Sequence, residues 1–319
     1  MPLQTQRIAD CPIALLHLPL LSAVGMTNTE NSAQELVTEL EDLLTVTRMG
    51  DGWYLGKRKT GGVGRVFGGQ VIAQALAAAQ DTVSTERVPH SLHAYFMRAG
   101  DERYEITYRI ERDFDGGSFS TRRIIALQQD KPILTMTASF QKQEDGLHHY
   151  DPMPDVPQPE DLAPEDDLRK QFADQIPEKF RANFLRDRAF ESRPVIPRDW
   201  MGGDKRLPAQ QDVWFRLRAP TLDDPVMHRA MLAYQSDSWL LGTCTIAHGV
   251  TWLTPGMMTA SLDHTIWLHE EFRVDDWMLY SCDSPWTGHG RGFNRGAIYT
   301  RDGRLVATCA QEGLIRLRT

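Results

Sequence analysis

Residues 234–249 read YQSDSWLLGTCTIAHG. Trp239, Leu240, Leu241, Thr243, Cys244, Ile246 and Ala247 leave no polar face, so a helix here must be enclosed by other structure. Ser236 and Asp237 stand at its start, and both side chains can accept hydrogen bonds from first-turn N–H groups. The spacing predicts a buried helix opened by Ser236-Asp237. Asp237 is then either a plain cap or an acid kept for chemistry.

Downstream, residues 259–269, 277–282, 292–300 and 304–311 read as strands, the last two joined by an Asp302-Gly303 hairpin turn. Upstream the same order occurs once before. The glycine-rich run over residues 61–69 lacks the Gly-Lys-Ser/Thr ending of a phosphate loop and reads as a tight entry into a helix over 70–80. In that helix Val71, Ile72, Ala75, Leu76 and Ala79 recur at helical spacing among further alanines, so it too is closely surrounded. Strands follow at 104–111, 118–127 and 133–140, the last two joined by a Gln-Asp-Lys-Pro turn. In the first of them Tyr104, Ile106, Tyr108 and Ile110 alternate with polar residues.

Placing Asp130 on Asp302 sets an offset of 172 residues, which pairs Ala126 with Ile298 and Ile133 with Leu305. At nearly the same offset Ser91-Leu92 meets Ser261-Leu262. Two copies of one helix-plus-antiparallel-sheet unit follow, an α+β architecture. A first repeat is expected over 26–142, a linker over 143–207 and a second repeat over 208–319. Residues 28–46 open the first repeat as an amphipathic helix with Leu36, Leu40, Leu43 and Leu44 on one side and an Asn or Ser cap. The linker carries Pro152, Pro154, Pro157, Pro159 and Pro164, then Arg181, Arg186, Arg188 and Arg193. It reads as partly extended, with a short helix around 164–184 and solvated charged faces.

A net charge of −8 over 319 residues gives no basic face for nucleic acid. Cys11, Cys244, Cys282 and Cys309 stand far apart, with neither a disulfide framework nor zinc-ligand spacing, and Cys244 and Cys309 read as core residues in a reducing, cytoplasmic compartment. Residues 1–25 hold an apolar run over 12–24, broken by two prolines and too short to span a bilayer. They read as an extension ahead of Met26, with a secretory signal as the alternative.

No G-x-S-x-G elbow or H-E-x-x-H pattern occurs. Instead Asp237, Ser261 and Gln311 are polar residues set at the start of the second helix, the start of a strand and the end of another, while the first repeat carries no acid at its helix start. The segments GGQVIAQALAAA (68–79), SLHAYFMRAGD (91–101), DGGSFSTRR (115–123), ILTMTASFQ (133–141), YQSD (234–237), SLDHTIWLHEEF (261–272), RGFNRGAIYTRDGRLVA (291–307) and QEG (311–313) closely resemble the type II acyl-CoA thioesterases.

The resemblance implies a double hotdog fold, two helices each wrapped by an antiparallel sheet, and hydrolysis of acyl-CoA without metal or prosthetic group. It places the family's aspartate on Asp237, its hydroxyl on Ser261 and its glutamine on Gln311. Glu270-Glu271 departs from the Arg-Pro of some bacterial members. Arg291 and Arg295 are candidates for CoA phosphates, with a solvated strand face as the plainer reading. His264 and His269 read more simply as packed histidines than as catalysts, and Trp239, Trp252, Trp267 and Trp277 as core or acyl-tunnel lining. Free sheet edges argue for a homodimer or larger assembly. The rivals are a hotdog enoyl-CoA hydratase, whose G-D-x-N-P-x-H motif is missing, and a non-catalytic acyl-CoA-binding protein.

Overall fold

The computed structural model describes residues 32–203 and 207–318, so the readings of residues 1–25 and of Cys11 lie outside it. Helix α1 (Ala33–Leu44) begins with a capping box, in which the Ser32 hydroxyl accepts from the Glu35 N–H and the Glu35 carboxylate accepts from the Ser32 N–H. Strands β1 (Val46–Gly50) and β2 (Trp53–Gly56) lead to α2 (Gly68–Gln80). Then come β3 (Arg87–Phe96), β4 (Ile106–Asp115), β5 (Phe119–Gln128) and β6 (Lys131–Lys142). Gln129 and Asp130, with φ of 50° and 59°, make the tight turn between β5 and β6.

The helix expected around 164–184 is two helices, α3 (Glu165–Gln171) and α4 (Glu178–Leu185), because Pro177 breaks the ladder between them. Nor are its charges all solvated. Arg169 is buried against Asp166 and the Phe184 carbonyl, and Asp166 also holds Arg218. Strand β7 (Phe190–Pro194) closes this stretch.

The second set comprises β8 (Gln210–Leu217), α5 (Pro225–Ser236), α6 (Leu240–Ile246), β9 (Met257–Ser261), β10 (Asp263–Leu268), β11 (Met278–Gly288), β12 (Arg291–Thr300) and β13 (Leu305–Leu317). All strands join one antiparallel sheet in the order β1-β2-β4-β5-β6-β3-β10-β13-β12-β11-β8-β7, with β9 attached to β13. The order is a palindrome. Outward from the β3–β10 seam, β6, β5, β4, β2 and β1 mirror β13, β12, β11, β8 and β7. At the seam His93 pairs with Thr265, its own repeat mate 172 residues on. A residue facing its mate across an antiparallel ladder lies on a two-fold axis, so the seam relates the two halves. This is the double hotdog arrangement.

Helix α2 lies on β3–β6, α6 lies on β8 and β11–β13, and α5 packs along α2. The alanine-rich sequence of α2 fits that enclosure, since every position from Gly69 to Leu76 is buried. Its buried Gln74 donates to the carbonyls of Leu43 and Lys57 and accepts from the Tyr108 hydroxyl, so this amide is fully engaged.

The buried stretch at 234–249 is not one helix opened by Ser236-Asp237. Helix α5 starts earlier, where the Asp224 side chain accepts from Val226 N–H and Pro225 takes the first turn. It ends at Ser236, whose hydroxyl donates back to the Ala233 carbonyl while the Tyr280 hydroxyl donates to the Ser236 carbonyl. Asp237 therefore caps the C-terminal end of α5, and α6 begins after Trp239 with no side-chain cap. Residues 259–269 likewise split into β9 and β10. Leu262 sits at the bend, its N–H donating to the Glu312 carbonyl and its carbonyl accepting from Phe96 N–H. Among the described residues no helix is long and apolar enough to cross a membrane.

A Cβ on Gly69 would collide with the Tyr234 carbonyl oxygen, so glycine sets how closely α2 meets the end of α5. Gly69→Ala is expected to destabilise the fold by about 2 kcal/mol or more through overpacking. Gly117→Ala, where a Cβ meets nothing within 4 Å, should change it by less than about 0.5 kcal/mol. Urea unfolding of the two variants measures the difference.

Candidate active site

Three separate elements deliver polar groups to Asp237. Its carboxylate emerges between α5 and α6, and the side chain is only 5% exposed. The Gly69 N–H, in the first turn of α2, donates to Oδ2 at 2.9 Å. The Gln311 amide, on β13, donates to Oδ1 at 2.6 Å, and the Ser261 hydroxyl at the end of β9 lies near enough to help hold the carboxyl's proton affinity down.

Local strand geometry explains how Ser261 and Gln311 meet. β13 pairs with β10 up to Ala310 and with β9 from Gly313, leaving Gln311 and Glu312 opposite the bend. Asp263 pins that bend by accepting the Glu312 N–H at 2.6 Å. Ser261 stands opposite Gly313, where a side chain would collide with Leu241. On the other side of Gln311, Asn294 of β12 accepts from Cys244 N–H and so ties α6 to the strands.

The glycine pair Gly68-Gly69, read from sequence as a turn, serves approach instead. A Cβ on Gly68 would lie 2.6 Å from Oδ2 of Asp237 and 2.8 Å from the Phe96 ring. The missing side chains let a positive helix end reach a buried anion. It is the start of the other repeat's helix that reaches Asp237, which is why the sequence around Asp237 does not reveal it.

Burial pushes the Asp237 carboxyl up from 3.8 to about 6, and the bonds from Gln311, Gly69 and Ser261 partly offset that. His264, on β10, is fully buried beside it. Its Nδ1 lies 3.0 Å from Gln311 Nε2 and 3.8 Å from Asp237 Oδ1, and its Nε2 lies 2.9 Å from the Ser236 hydroxyl. Burial drives the imidazole down to about 3, so the contact with Asp237 is not an ion pair near neutrality.

The remaining candidates lie elsewhere. Along β12, Asn294 faces α6, so Arg291 and Arg295 point to the outer side of the sheet. There Arg291 pairs with Glu312 at 3.5 Å and Arg295 with Asp283 at 2.5 Å. His269 bonds to the Thr308 hydroxyl. Trp267 packs edge-on against His93, Trp252 against Phe180, and Trp277 sits under Arg216, while Trp239 joins Phe215 and Tyr280 in the core. Ser261 matches Ser91, but at the 172-residue offset Asp237 and Gln311 fall on Arg65 and Ser139, so the first repeat holds no second copy of the constellation.

A family model described as acyl-CoA thioesterase matches residues 180–314, and one described as acyl-CoA thioesterase N-terminal domain matches residues 57–141. The chain is 38% identical over 282 residues to acyl-CoA thioesterase 2 of Haemophilus influenzae, spanning 88% of this chain and 98% of that protein. It is 40% identical over 262 residues to acyl-coenzyme A thioesterase 8 of Homo sapiens, spanning 80% and 81%. The solved structure of acyl-CoA thioesterase II TesB2 from Mycobacterium marinum matches with a TM-score of 0.70 at 37% identity, over 88% of this chain and 98% of that one.

The raised carboxyl makes a stability prediction with a definite sign. A folded-state value above the ordinary one means that the native protein holds its proton longer, so stability falls as pH rises from 3.8 through about 6. Relative to Asp237→Asn, the wild type should lose about 3 kcal/mol across that window, since each tenfold change in proton affinity is worth about 1.4 kcal/mol. Urea unfolding of both proteins from pH 4 to 8 reads it, and a 13C titration of the Asp237 carboxyl should centre near 6.

Proposed function

The chain belongs to the type II acyl-CoA thioesterases, and from that premise we propose that Asp237, Ser261 and Gln311 activate the water that hydrolyses an acyl-CoA to fatty acid and CoA. The observation that carries the assignment is the approach of Gln311 and Ser261 to the buried Asp237 carboxylate, whose affinity for a proton lies near working pH.

A thioester carbonyl is electrophilic enough for water to attack without a covalent enzyme intermediate. Asp237, ionised above about 6, takes a proton from the water as its oxygen bonds to the carbonyl carbon. Ser261 and Gln311 orient that water. Oε1 of Gln311 is buried with no partner and is placed to accept the second hydrogen. The Gly68 N–H, which donates to nothing among the described residues, is the donor assigned to the developing oxyanion. Collapse of the tetrahedral intermediate breaks the C–S bond, and the thiolate leaves with the proton held by Asp237.

In this reading the second repeat (208–319) supplies the reacting groups, and the first (26–142) supplies the Gly69 N–H. Met153, Val156 and Leu162 of the linker (143–207) cover the outer side of the second repeat. Arg291 and Arg295, to take CoA phosphates, would exchange Glu312 and Asp283 for phosphate oxygens. The sheet ends at β1 and β7, where a second copy would join to form a homodimer. The hydratase alternative needs a histidine free to reach substrate, whereas both ring nitrogens of His264 are engaged.

The test is thiol release from a panel of acyl-CoA substrates. Wild type should release CoA with an acid limb near pH 6, and Asp237→Asn should lower kcat by about a hundredfold or more while keeping its fold. Wild-type binding of acyl-CoA without thiol release would instead establish a binding protein.

A further inference from the structure

We infer that His264 is a positioning residue, whose Nδ1 lone pair holds the Gln311 amide with its N–H edge toward Asp237 and its oxygen toward the attacking water. This rests on the proposed roles of Asp237 and Gln311.

A glutamine amide has the same shape after a half-turn, so something must choose which end faces which neighbour. An ionised Asp237 repels the amide oxygen and selects the N–H edge. A protonated Asp237 does not, because its own O–H can donate to that oxygen. Near pH 6 both forms of Asp237 are populated, so the carboxyl alone leaves the amide free to turn. A second acceptor on the N–H side removes the ambiguity, and His264 Nδ1 is 3.0 Å from Gln311 Nε2.

That acceptor exists only if the imidazole proton sits on Nε2, and the surroundings favour this. The Ser236 hydroxyl directs its hydrogen to the Ala233 carbonyl at 2.9 Å, so toward His264 it offers lone pairs. His264 Nε2–H must therefore donate to Ser236. In this arrangement the polarity runs one way from Gln311 through His264 and Ser236 to the backbone of α5. The titratable groups around it are Asp237, the Tyr280 hydroxyl bonded to the Ser236 carbonyl, and the Cys309 thiol on β13, all neutral or paired. Burial keeps His264 uncharged, so the acceptor persists across working pH. Gln311 is left with both amide hydrogens used and Oε1 unpaired, as a water-holding group requires.

Two substitutions separate this role from packing. His264→Asn keeps an acceptor near the Nδ1 position, and His264→Gln keeps a donor near the Nε2 position but no acceptor for Gln311. With acyl-CoA as substrate, His264→Asn should stay within about threefold of wild-type kcat. His264→Gln should fall by tenfold to about a hundredfold with little change in KM, as misplacement of a reacting group does. The acid limb of kcat should move above 6 only in His264→Gln, because Asp237 loses the N–H that favours its ionised form. Equal losses in the two variants, or an unmoved limb in His264→Gln, would overturn the role. A 15N spectrum of the wild type offers a test independent of variant folding: neutral His264 with its proton on Nε2 from pH 5 to 8 supports the inference, and a proton on Nδ1 sinks it. If instead Asp237→Asn keeps full activity in the same assay, it is the hydrolytic reading that fails.

Discussion

An anion buried in protein must be surrounded by donors, and Asp237 takes its donors from elements far apart in the chain. Gly69 N–H comes from the first repeat, Gln311 from the last long strand and Ser261 from the end of β9. Each donor demands a local accommodation. The α2 start must be free of side chains, β13 must change partners beside Gln311, and α5 must stop one residue before the acid. Removing any of these would leave a desolvated charge short of bonds, which is among the most destabilising faults a core can carry. Burial outweighs these donors and holds the carboxyl near 6.

The repeat is legible because strand alternation and hairpin turns leave a pattern in residue type, and the offset through Asp130 and Asp302 recurs as the pairing of His93 with Thr265. Enclosed helices leave a weaker trace. A segment apolar on all sides has no phase, so composition locates the helical region around Asp237 but not its break, and Asp237 passes for a start when it closes α5. The Gly69 N–H is beyond reach for a simpler reason. A backbone donor has no letter of its own, and the glycines around it record only that something comes close. Gln311 and Ser261 are visible as polar residues in apolar strands. His264 is visible too, but which of its nitrogens bears the proton depends on Ser236 and Ala233, neighbours fixed only by folding.

The proline-rich stretch after β6 does more than join two halves. Met153, Val156 and Leu162 pack with Trp214, Trp277, Leu279 and Tyr299 on the outer face of the second repeat, and Trp214 donates its indole N–H to the Pro157 carbonyl. Arg216 stacks over Trp277 at 4.5 Å, and Arg193 bonds to the Pro159 carbonyl. A sheet with helices on one side only would leave that face wet. Here the chain covers it with a strap whose prolines have little conformational freedom to lose on folding.

The seam where His93 faces Thr265 also bears on how such a site can change over generations. In a symmetric pair of identical chains, one gene writes both helix starts, so a helix that keeps the acid must also keep the bare glycines, and every substitution lands twice. With both halves in one chain that restriction is absent: the start of α2 is bare beside Asp237, while the position matching Asp237 in the first repeat is Arg65. Neither half alone holds all the groups gathered at Asp237.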